Sequence, residues 1–214
     1  MSATTLSLVS SLLAAIRGTL AGRKPADDAV GRELQRVVSW LEPLPPLTGV
    51  FSRNQHAATR HIKAALQAGN ESTAALLDAV SPVIRLLPWR YSYPPREDTP
   101  ELGQNIAFAE IIGPAAPFHS DSVCLGLTLL GPETLYPAHR HPAVELYYVV
   151  AGTATWTLDG VSHEPPPGTF ILHPTQAVHA MRTHAEPLLA VYSWTGADVR
   201  TPSVYIQSAK PETT

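Results

Sequence analysis

Two histidines and a glutamate lie close together in YPAHRHPAVELYY, residues 136–148. Alternate side chains of an extended strand point to opposite faces, so odd-numbered positions share one face if the strand is unbroken. Those positions hold His139, His141, Glu145 and Tyr147. Imidazole and carboxylate groups that converge on one face are typical ligands of a transition-metal ion. The spacing therefore predicts part of a metal site.

A further ligand is expected downstream, in GTFILHPTQAVHAM, residues 168–181, where His173 and His179 are the candidates. Together the two stretches resemble the cupin superfamily. Its first motif, H-x-H-x3-E-x6-G, is matched by His139, His141, Glu145 and Gly152. Its second, G-x5-P-x-G followed by a histidine, is matched by Gly160, Pro166, Gly168 and His179. The match is incomplete, because Gly131 lies further from His139 than usual and the terminal asparagine is missing.

The cupin resemblance implies a β-barrel that holds one divalent transition-metal ion (Fe, Zn, Mn, Co or Ni). The implied ligands are His139, His141, Glu145 and His179. His173, which directly precedes a proline, is the less favoured candidate. The remaining histidines are expected to be solvated: His56, His61, His119, His163 and His184.

A closer resemblance rests on the aromatic residues around the ligands. The pattern Y-x2-H-x-H-x3-E-x-Y, preceded by a helical extension, is similar to the small bacterial cupin-type lyases of dimethylsulfoniopropionate (DMSP). That resemblance implies a carbon–sulfur lyase that forms dimethyl sulfide and acrylate. It also implies that Tyr147 is the general base, that Tyr136 is a second active-site phenol and that Trp194 belongs to the pocket wall.

The chemistry of such a substrate, a sulfonium carboxylate, fits these residue types. A dication can neutralise charge that develops next to the carboxylate and can favour a phenolate over a phenol. Aromatic faces attract the sulfonium end, for which Trp194, Trp156 and Tyr136 are the candidates. Tyr192 shares a strand face with Trp194 and is also expected to contact the substrate. Trp156 could equally be a packing residue, and Tyr148 is expected to pack behind the sheet.

Two other classes of function remain open at this point. The same ligands suit another cupin metalloenzyme, such as an iron dioxygenase or a sugar isomerase. A non-catalytic small-molecule-binding cupin is the other alternative, although it needs no base. Oxygen consumption distinguishes a dioxygenase from a lyase.

The elements that must position these residues fall into two regions. Residues 1–88 are predicted to be helical and to pack on a barrel formed by residues 89–214. About four helices are expected: one with an apolar stripe from Leu6 to Leu20, one from Asp27–Asp28 to just before Pro43, one over residues 54–68, and one over residues 71–87 with a break near Pro82.

The predicted strands are IAFAEII, SVCLGLTLL, AVELYYVV, TATWTLDG, GTFILHP and LLAVYSW. The predicted fold is thus mainly β with a helical N-terminal part, a double-stranded β-helix or jelly roll.

The composition of the chain argues against some classes of binding partner. A net charge of −3 without a basic block argues against nucleic acid as a partner. No apolar run approaches the roughly 18 residues of a membrane span. The single cysteine, Cys124, excludes an intrachain disulfide and is compatible with a reducing compartment. We therefore expect a cytoplasmic protein that acts on a small molecule, with a homodimer through the apolar helices as a further expectation.

Overall fold

The computed structural model describes residues 3–24 and 26–206. Its helical part comes first in the chain. The α-helices are α1 (Ala3–Ala21), α2 (Ala29–Trp40), α3 (Ile62–Gln67), α4 (Ala74–Val80) and the short α5 (Leu102–Asn105). Three 3-10 turns accompany them, at Ala57–His61, Glu71–Thr73 and Ile84–Leu86.

Helix α2 begins at the capping residue that the sequence predicts. Asp28 accepts a hydrogen bond from the backbone N–H of Gly31 and so begins α2, as the Asp27–Asp28 pair predicts. The third and fourth helices are shorter than predicted, because each opens with a 3-10 turn and the fourth ends at Val80, just before Pro82. The short α5 was not predicted.

Eleven strands follow within the described residues. They are β1 (Ile106–Gly113), β2 (Phe118–His119), β3 (Val123–Leu130), β4 (Leu135–Arg140), β5 (Val144–Ala151), β6 (Ala154–Leu158), β7 (Val161–His163), β8 (Phe170–His173), β9 (His179–Thr183), β10 (Leu188–Thr195) and β11 (Val204–Tyr205). One sheet has the order β2-β1-β3-β10-β5-β8, and the other has the order β11-β4-β9-β6-β7. The predicted mainly β fold with a helical N-terminal part is confirmed.

The six-stranded sheet has an apolar cluster on each face. One cluster lies between the two sheets and includes Tyr147, Val149 and Met181. The other joins the outer face of the six-stranded sheet to the helices, with Leu13 of α1 and Leu127 of β3 among its members. Alternation along β5 explains the division, because successive side chains enter different clusters. The helical region therefore covers one face of the barrel.

Helix α1 is both long and apolar. By length and hydropathy alone it could cross a membrane, contrary to the expectation that no apolar stretch is long enough. Its apolar stripe is buried against the rest of the protein: Val9, Leu12, Leu13, Ile16 and Leu20. A buried core helix satisfies the same length and hydropathy criterion.

The stretch from residue 136 to residue 148 is not one unbroken strand, so the condition under which its odd-numbered side chains share one face is not met. Strand β4 ends at Arg140 and lies in the five-stranded sheet, whereas β5 begins at Val144 and lies in the six-stranded sheet. Pro142 has no N–H to donate and disfavours a regular continuation, so the chain crosses between the sheets there. The histidines and Glu145 meet because the two sheets face each other and not because they share one strand face.

Candidate active site and metal centre

The histidines of the two motifs are oriented by the backbone next to them. The Nδ1 atom of His139 lies 2.7 Å from the carbonyl oxygen of Pro137, and that of His141 lies 3.0 Å from the carbonyl of Ala143. His179 makes the same contact, at 2.9 Å, with Ala177. A carbonyl can only accept, so Nδ1 carries the proton in each ring. The Nε2 atom is left free, which is the arrangement that metal-ligating histidines usually adopt.

The free nitrogens of His141 and His179 converge on Glu145, which is 2% exposed. Its Oε2 lies 3.1 Å from Nε2 of His141 and 3.2 Å from Nε2 of His179. Within the described residues, these three side chains form a cluster whose candidate ligand atoms all lie within 4.8 Å of one another. His139 is not part of this tightest group, but its ring centroid is 4.1 Å from that of His179.

The cluster fits a metal ion on two grounds. Two ligand atoms that each lie about 2.1 Å from one ion, at angles between octahedral and tetrahedral, are separated by roughly 3.0–3.4 Å, and the distances from Glu145 to His141 and His179 fall in this range. In addition, a neutral ring with its proton on Nδ1 presents an Nε2 lone pair to the carboxylate oxygen. These groups repel each other unless a positive charge lies between them. The Nε2 atom of His179 is indeed buried without a hydrogen-bond partner.

The pKa shifts of His139 and Glu145 favour the protonation states that bind a metal. Burial, followed by the nearby His179, lowers the pKa of His139 to about 3, so this ring is neutral at physiological pH. Burial acts to raise the pKa of Glu145, but the surrounding histidines, among them His173 with its Nδ1–H directed at the carboxylate, outweigh it and hold the pKa well below its usual range. Neutral imidazoles and an ionised carboxylate are the forms that bind a metal.

His173 differs from the other three histidines. Its Nδ1 lies 3.3 Å from Oε2 of Glu145, and its ring stacks on that of His179 with centroids 4.0 Å apart. The ring therefore donates its Nδ1–H to the carboxylate and not to a backbone carbonyl. This contact orients Glu145. Strand register explains it, because His173 on β8 lies directly opposite Glu145 on β5.

The two tyrosines of the motif both lie inside the barrel next to the cluster. Tyr147 is 1% exposed, and its hydroxyl faces Glu145 and Thr128. Tyr136 packs its ring on that of His139, with centroids 4.1 Å apart. Burial raises the pKa of each phenol well above its ordinary value, and for Tyr147 the charge of Glu145 adds to this effect.

The predicted aromatic wall is only partly assembled. Trp194 lies opposite Glu145 in the strand register and donates its indole N–H to Glu145 Oε1 at 2.7 Å. Tyr192 lies opposite Tyr147 and also lines the cavity. Trp156 is buried behind Tyr147, with ring centroids 4.9 Å apart, and does not line the cavity. Packing is thus its observed role.

A cavity of about 370 Å³ connects these groups to the surface. The buried Tyr136 and Tyr147 and the half-buried Trp194 line it, and the exposed Arg90, Arg200 and Pro202 line its mouth. None of the five histidines expected to be solvated lines this cavity. His163 and His184 are exposed, as expected, whereas His56, His61 and His119 are half-buried, and Nε2 of His61 is buried without a hydrogen-bond partner. Tyr148 packs behind the sheet against Phe170, as expected.

Sequence reasoning missed some residues of the site. Tyr205 packs against Tyr136 and His139, with ring centroids 6.1 and 6.0 Å away, and donates to or accepts from Tyr91 at 2.9 Å. It lies on a two-residue strand that has no sequence signal. Glu110, an acidic residue within the apolar run IAFAEII, also lines the cavity, and its position alone could have drawn attention.

Comparisons with known proteins place this site in a family context. The family model for dimethylsulfoniopropionate lyase matches residues 31–190. The chain is 33% identical over 134 residues to dimethylsulfoniopropionate lyase DddQ of Ruegeria pomeroyi, a match that covers 61% of this chain and 65% of DddQ. The match thus spans just under two thirds of that relative's length.

Two solved structures are similar over nearly the whole chain. The crystal structure of DMSP lyase DddQ from Ruegeria pomeroyi DSS-3 has a TM-score of 0.75 at 25% identity, covering 96% of this chain and 97% of that one. A structure from the work on the DMSP lyases RdDddP and RnDddQII has a TM-score of 0.81 at 24% identity and covers 95% and 100% of the two chains. These similarities support the cupin-like fold predicted from the motifs.

Proposed function

Because the chain belongs to the dimethylsulfoniopropionate lyase family, we propose that it cleaves dimethylsulfoniopropionate to dimethyl sulfide and acrylate by a metal-dependent β-elimination. The observation that carries this proposal is the buried set of His141, Glu145 and His179 beside a cavity that is lined by the phenols of Tyr136 and Tyr147, among others. This set offers a metal site and a candidate base within one small space.

The proposed metal ligands are His139, His141, Glu145 and His179. Their chemistry, three imidazoles and one carboxylate, suits a divalent ion among Fe, Zn, Mn, Co and Ni. When bound, such an ion supplies positive charge that offsets the charge developing beside the substrate carboxylate. His173 and Trp194 hydrogen-bond to Glu145, which supports a fixed orientation for its carboxylate.

The proposed general base is Tyr147. Its ionised hydroxyl takes a proton from the α-carbon, the C–H electrons form the double bond of acrylate, and the β-carbon–sulfur bond breaks. The electron pair of the broken carbon–sulfur bond leaves with the sulfur, which forms neutral dimethyl sulfide. Burial and Glu145 raise the pKa of Tyr147 well above its ordinary value, so the proposal requires positive charge at the histidine cluster to lower that pKa.

The other cavity residues have supporting roles in this proposal. Tyr136 is held against His139 and is the second phenol that can contact the substrate. Trp194 and Tyr192 present aromatic surface to the sulfonium group, a contact worth about 0.5–2 kcal/mol for a cation over a ring. The buried Trp156 supports Tyr147 and does not line the substrate cavity.

The direct test is the product analysis of the purified, metal-loaded protein. Dimethylsulfoniopropionate should yield dimethyl sulfide in the headspace and an equal amount of acrylate in solution. The yield should be the same under argon and in air, because elimination consumes no oxygen. An absence of both products contradicts the proposal, and a yield that depends on oxygen favours a dioxygenase instead.

The proposal extends to the setting of the enzyme. We place it in the cytoplasm, where the buried thiol of Cys124 remains reduced. A homodimer would use exposed apolar side chains. Among the described residues, several of these lie at the end of α2 and just after it: Trp40, Leu44, Leu47 and Val50. Light scattering of the eluted protein distinguishes a dimer from a monomer.

A further inference from the structure

The cavity contains a second carboxylate that the proposed reaction does not use. Glu110 lies on β1 and lines the cavity, and its side chain is 18% exposed. Its Oε1 atom is buried and has no hydrogen-bond partner. A buried carboxylate without a full set of partners carries a large free-energy cost, so its position calls for an explanation.

A β-bulge aims this side chain into the barrel. The register between β1 and β3 shifts between Glu110 and Ile112, so that Ile111 and Ile112 both enter the apolar cluster under the helices. Glu110, which comes just before the bulge, remains on the cavity side. Bulges commonly redirect a side chain next to a functional site.

The nearest cation does not neutralise Glu110 fully. Nη2 of Arg90 lies 3.7 Å from its Oε1, which is too long for a hydrogen bond, and the Arg90 side chain is 46% exposed. Burial raises the pKa of Glu110, and the charge of Arg90 only partly opposes this. The other arginine at the mouth, Arg200, is already paired with Asp121. A cation that enters the cavity would favour the ionised form of Glu110 and would meet a carboxylate that Arg90 only partly neutralises.

Glu110 and the candidate base lie in one row across the sheet. Glu110 is opposite Gly126, Gly126 is opposite Tyr192, and Tyr192 is opposite Tyr147. A Cβ atom on Gly126 would come within 2.8 Å of the Tyr192 ring, so that ring occupies the space over the glycine. Glu110 is thus three strands away from Tyr147, with an aromatic ring between them.

This separation of charges matches a small zwitterion. With a divalent ion bound, the histidine cluster would be the positive end of the site, and Glu110 offers a carboxylate at the other end. Resting on the proposed function, we propose that Glu110 is a specificity-determining residue that selects a cationic sulfonium over a neutral substituent at the β-carbon of the substrate. It acts by Coulomb attraction across the cavity, and Arg90 restrains it when no cation is bound.

This role has a kinetic consequence. The sulfonium charge disappears as neutral dimethyl sulfide leaves, so Glu110 stabilises the bound substrate more than the transition state. The substitution E110Q should therefore raise KM roughly 10- to 100-fold, the size of one partly screened charge–charge contact, without lowering kcat. Substitution of a residue that acted as the base would have the opposite effect, because it would lower kcat and not mainly raise KM.

Binding of two inert isosteres tests the charge preference without turnover. The probes are 3-(trimethylammonio)propionate, which is cationic at the distal end, and its carbon analogue 4,4-dimethylpentanoate, which is neutral there. Calorimetry on the metal-loaded wild type should show a preference for the cation of about 10- to 100-fold. E110Q should lose it, E110D should keep part of it, and the exposed control E101Q should keep all of it.

The variant R90Q supplies a test of opposite sign that does not remove a buried group. It should increase the preference for the cationic probe, because a competing positive charge is gone. Retention of the preference in a folded E110Q protein overturns the proposal. Loss of binding of both probes in R90Q also overturns it, because Arg90 would then hold the carboxylate and the substrate would lie the other way round. A wild type that releases no dimethyl sulfide instead contradicts the proposed function itself.

Discussion

The direction of a few hydrogen bonds separates the ligand histidines from their neighbour. His141 and His179 give Nδ1–H to backbone carbonyls and turn Nε2 towards Glu145, whereas His173 gives Nδ1–H to Glu145 itself. With the protons placed in this way, two nitrogen lone pairs face one carboxylate oxygen. A cation between them removes the repulsion, so the binding of metal and the stability of this cluster are coupled.

The first prediction at this scale concerns metal binding. H141A and H179A each remove one of the clustered nitrogens and should lose stoichiometric metal, together with lyase activity. Elemental analysis of the purified proteins gives the metal content. H163A is the matched control, because His163 is exposed on β7 and should not affect either property. Full metal content in both cluster variants would contradict the ligand assignment.

The second prediction concerns the base. Y147F keeps the buried ring but removes the hydroxyl that faces Glu145 and Thr128. Loss of a positioned general base costs a factor of about 10²–10⁴, which should appear in kcat while the metal remains bound. Y136F should lose less if that phenol only orients the substrate. Exchange of the α-proton with deuterated water, followed by NMR, reports the proton-transfer step directly. Near-normal kcat in metal-loaded Y147F would leave Tyr136 as the next candidate.

At the scale of elements, periodicity predicted those segments in which one face is buried. The stripe of α1 is of this kind. Strand β5 is buried on both faces and is recognisable instead as a short apolar run. The predictions failed where contacts between residues far apart in the sequence determine the structure. Pro142 lies at a crossing between two sheets, which a local pattern cannot distinguish from a bend within one strand. His173 touches Glu145 only because β8 pairs with β5, and no spacing within either strand contains that information.

The motif glycines give a prediction for individual turns. Gly152 has a φ of +79°, and a Cβ atom there would come within 1.9 Å of the carbonyl oxygen of Pro187. Gly160 has a similar φ, +84°, but open space around it. G160A should therefore cost only the left-handed strain of about 1–2 kcal/mol. G152A adds a clash with backbone and should cost more than about 3 kcal/mol.

Urea unfolding of G152A and G160A measures this difference in the free energy of unfolding. The two variants should show similar slopes of that free energy against urea concentration. The comparison cancels the backbone strain that both substitutions share and isolates the steric contact with Pro187. Gly152 also donates its N–H to the carbonyl of Ala68 at 2.8 Å, so a shift there would disturb the contact with the helical region. Equal destabilisation of the two variants would mean that the chain around Pro187 relaxes freely.

At the scale of the whole molecule, the helical region and the barrel share one apolar cluster. From the sheet, Ile111, Leu125, Leu127, Leu129, Leu146 and Val150 enter it. From the helices and the segment after them, Val9, Leu13, Ile16, Leu34, Ile84 and Trp89 pack against these side chains. Each fully buried aliphatic side chain contributes about 1.5–3 kcal/mol. Neither part can leave this face to water without a cost comparable to its own stability.

The last prediction follows from that shared cluster. A chain that begins at Trp89 retains every proposed metal ligand, but it exposes the outer face of the six-stranded sheet as a contiguous apolar patch. Patches larger than a few hundred Å² cause association, so the truncated barrel should aggregate or elute as large oligomers in gel filtration. Coexpression of residues 1–88 as a separate chain is the control and should restore a soluble complex, because the missing surface is supplied again. A soluble and fully active barrel on its own would show that the two regions are separate folding units.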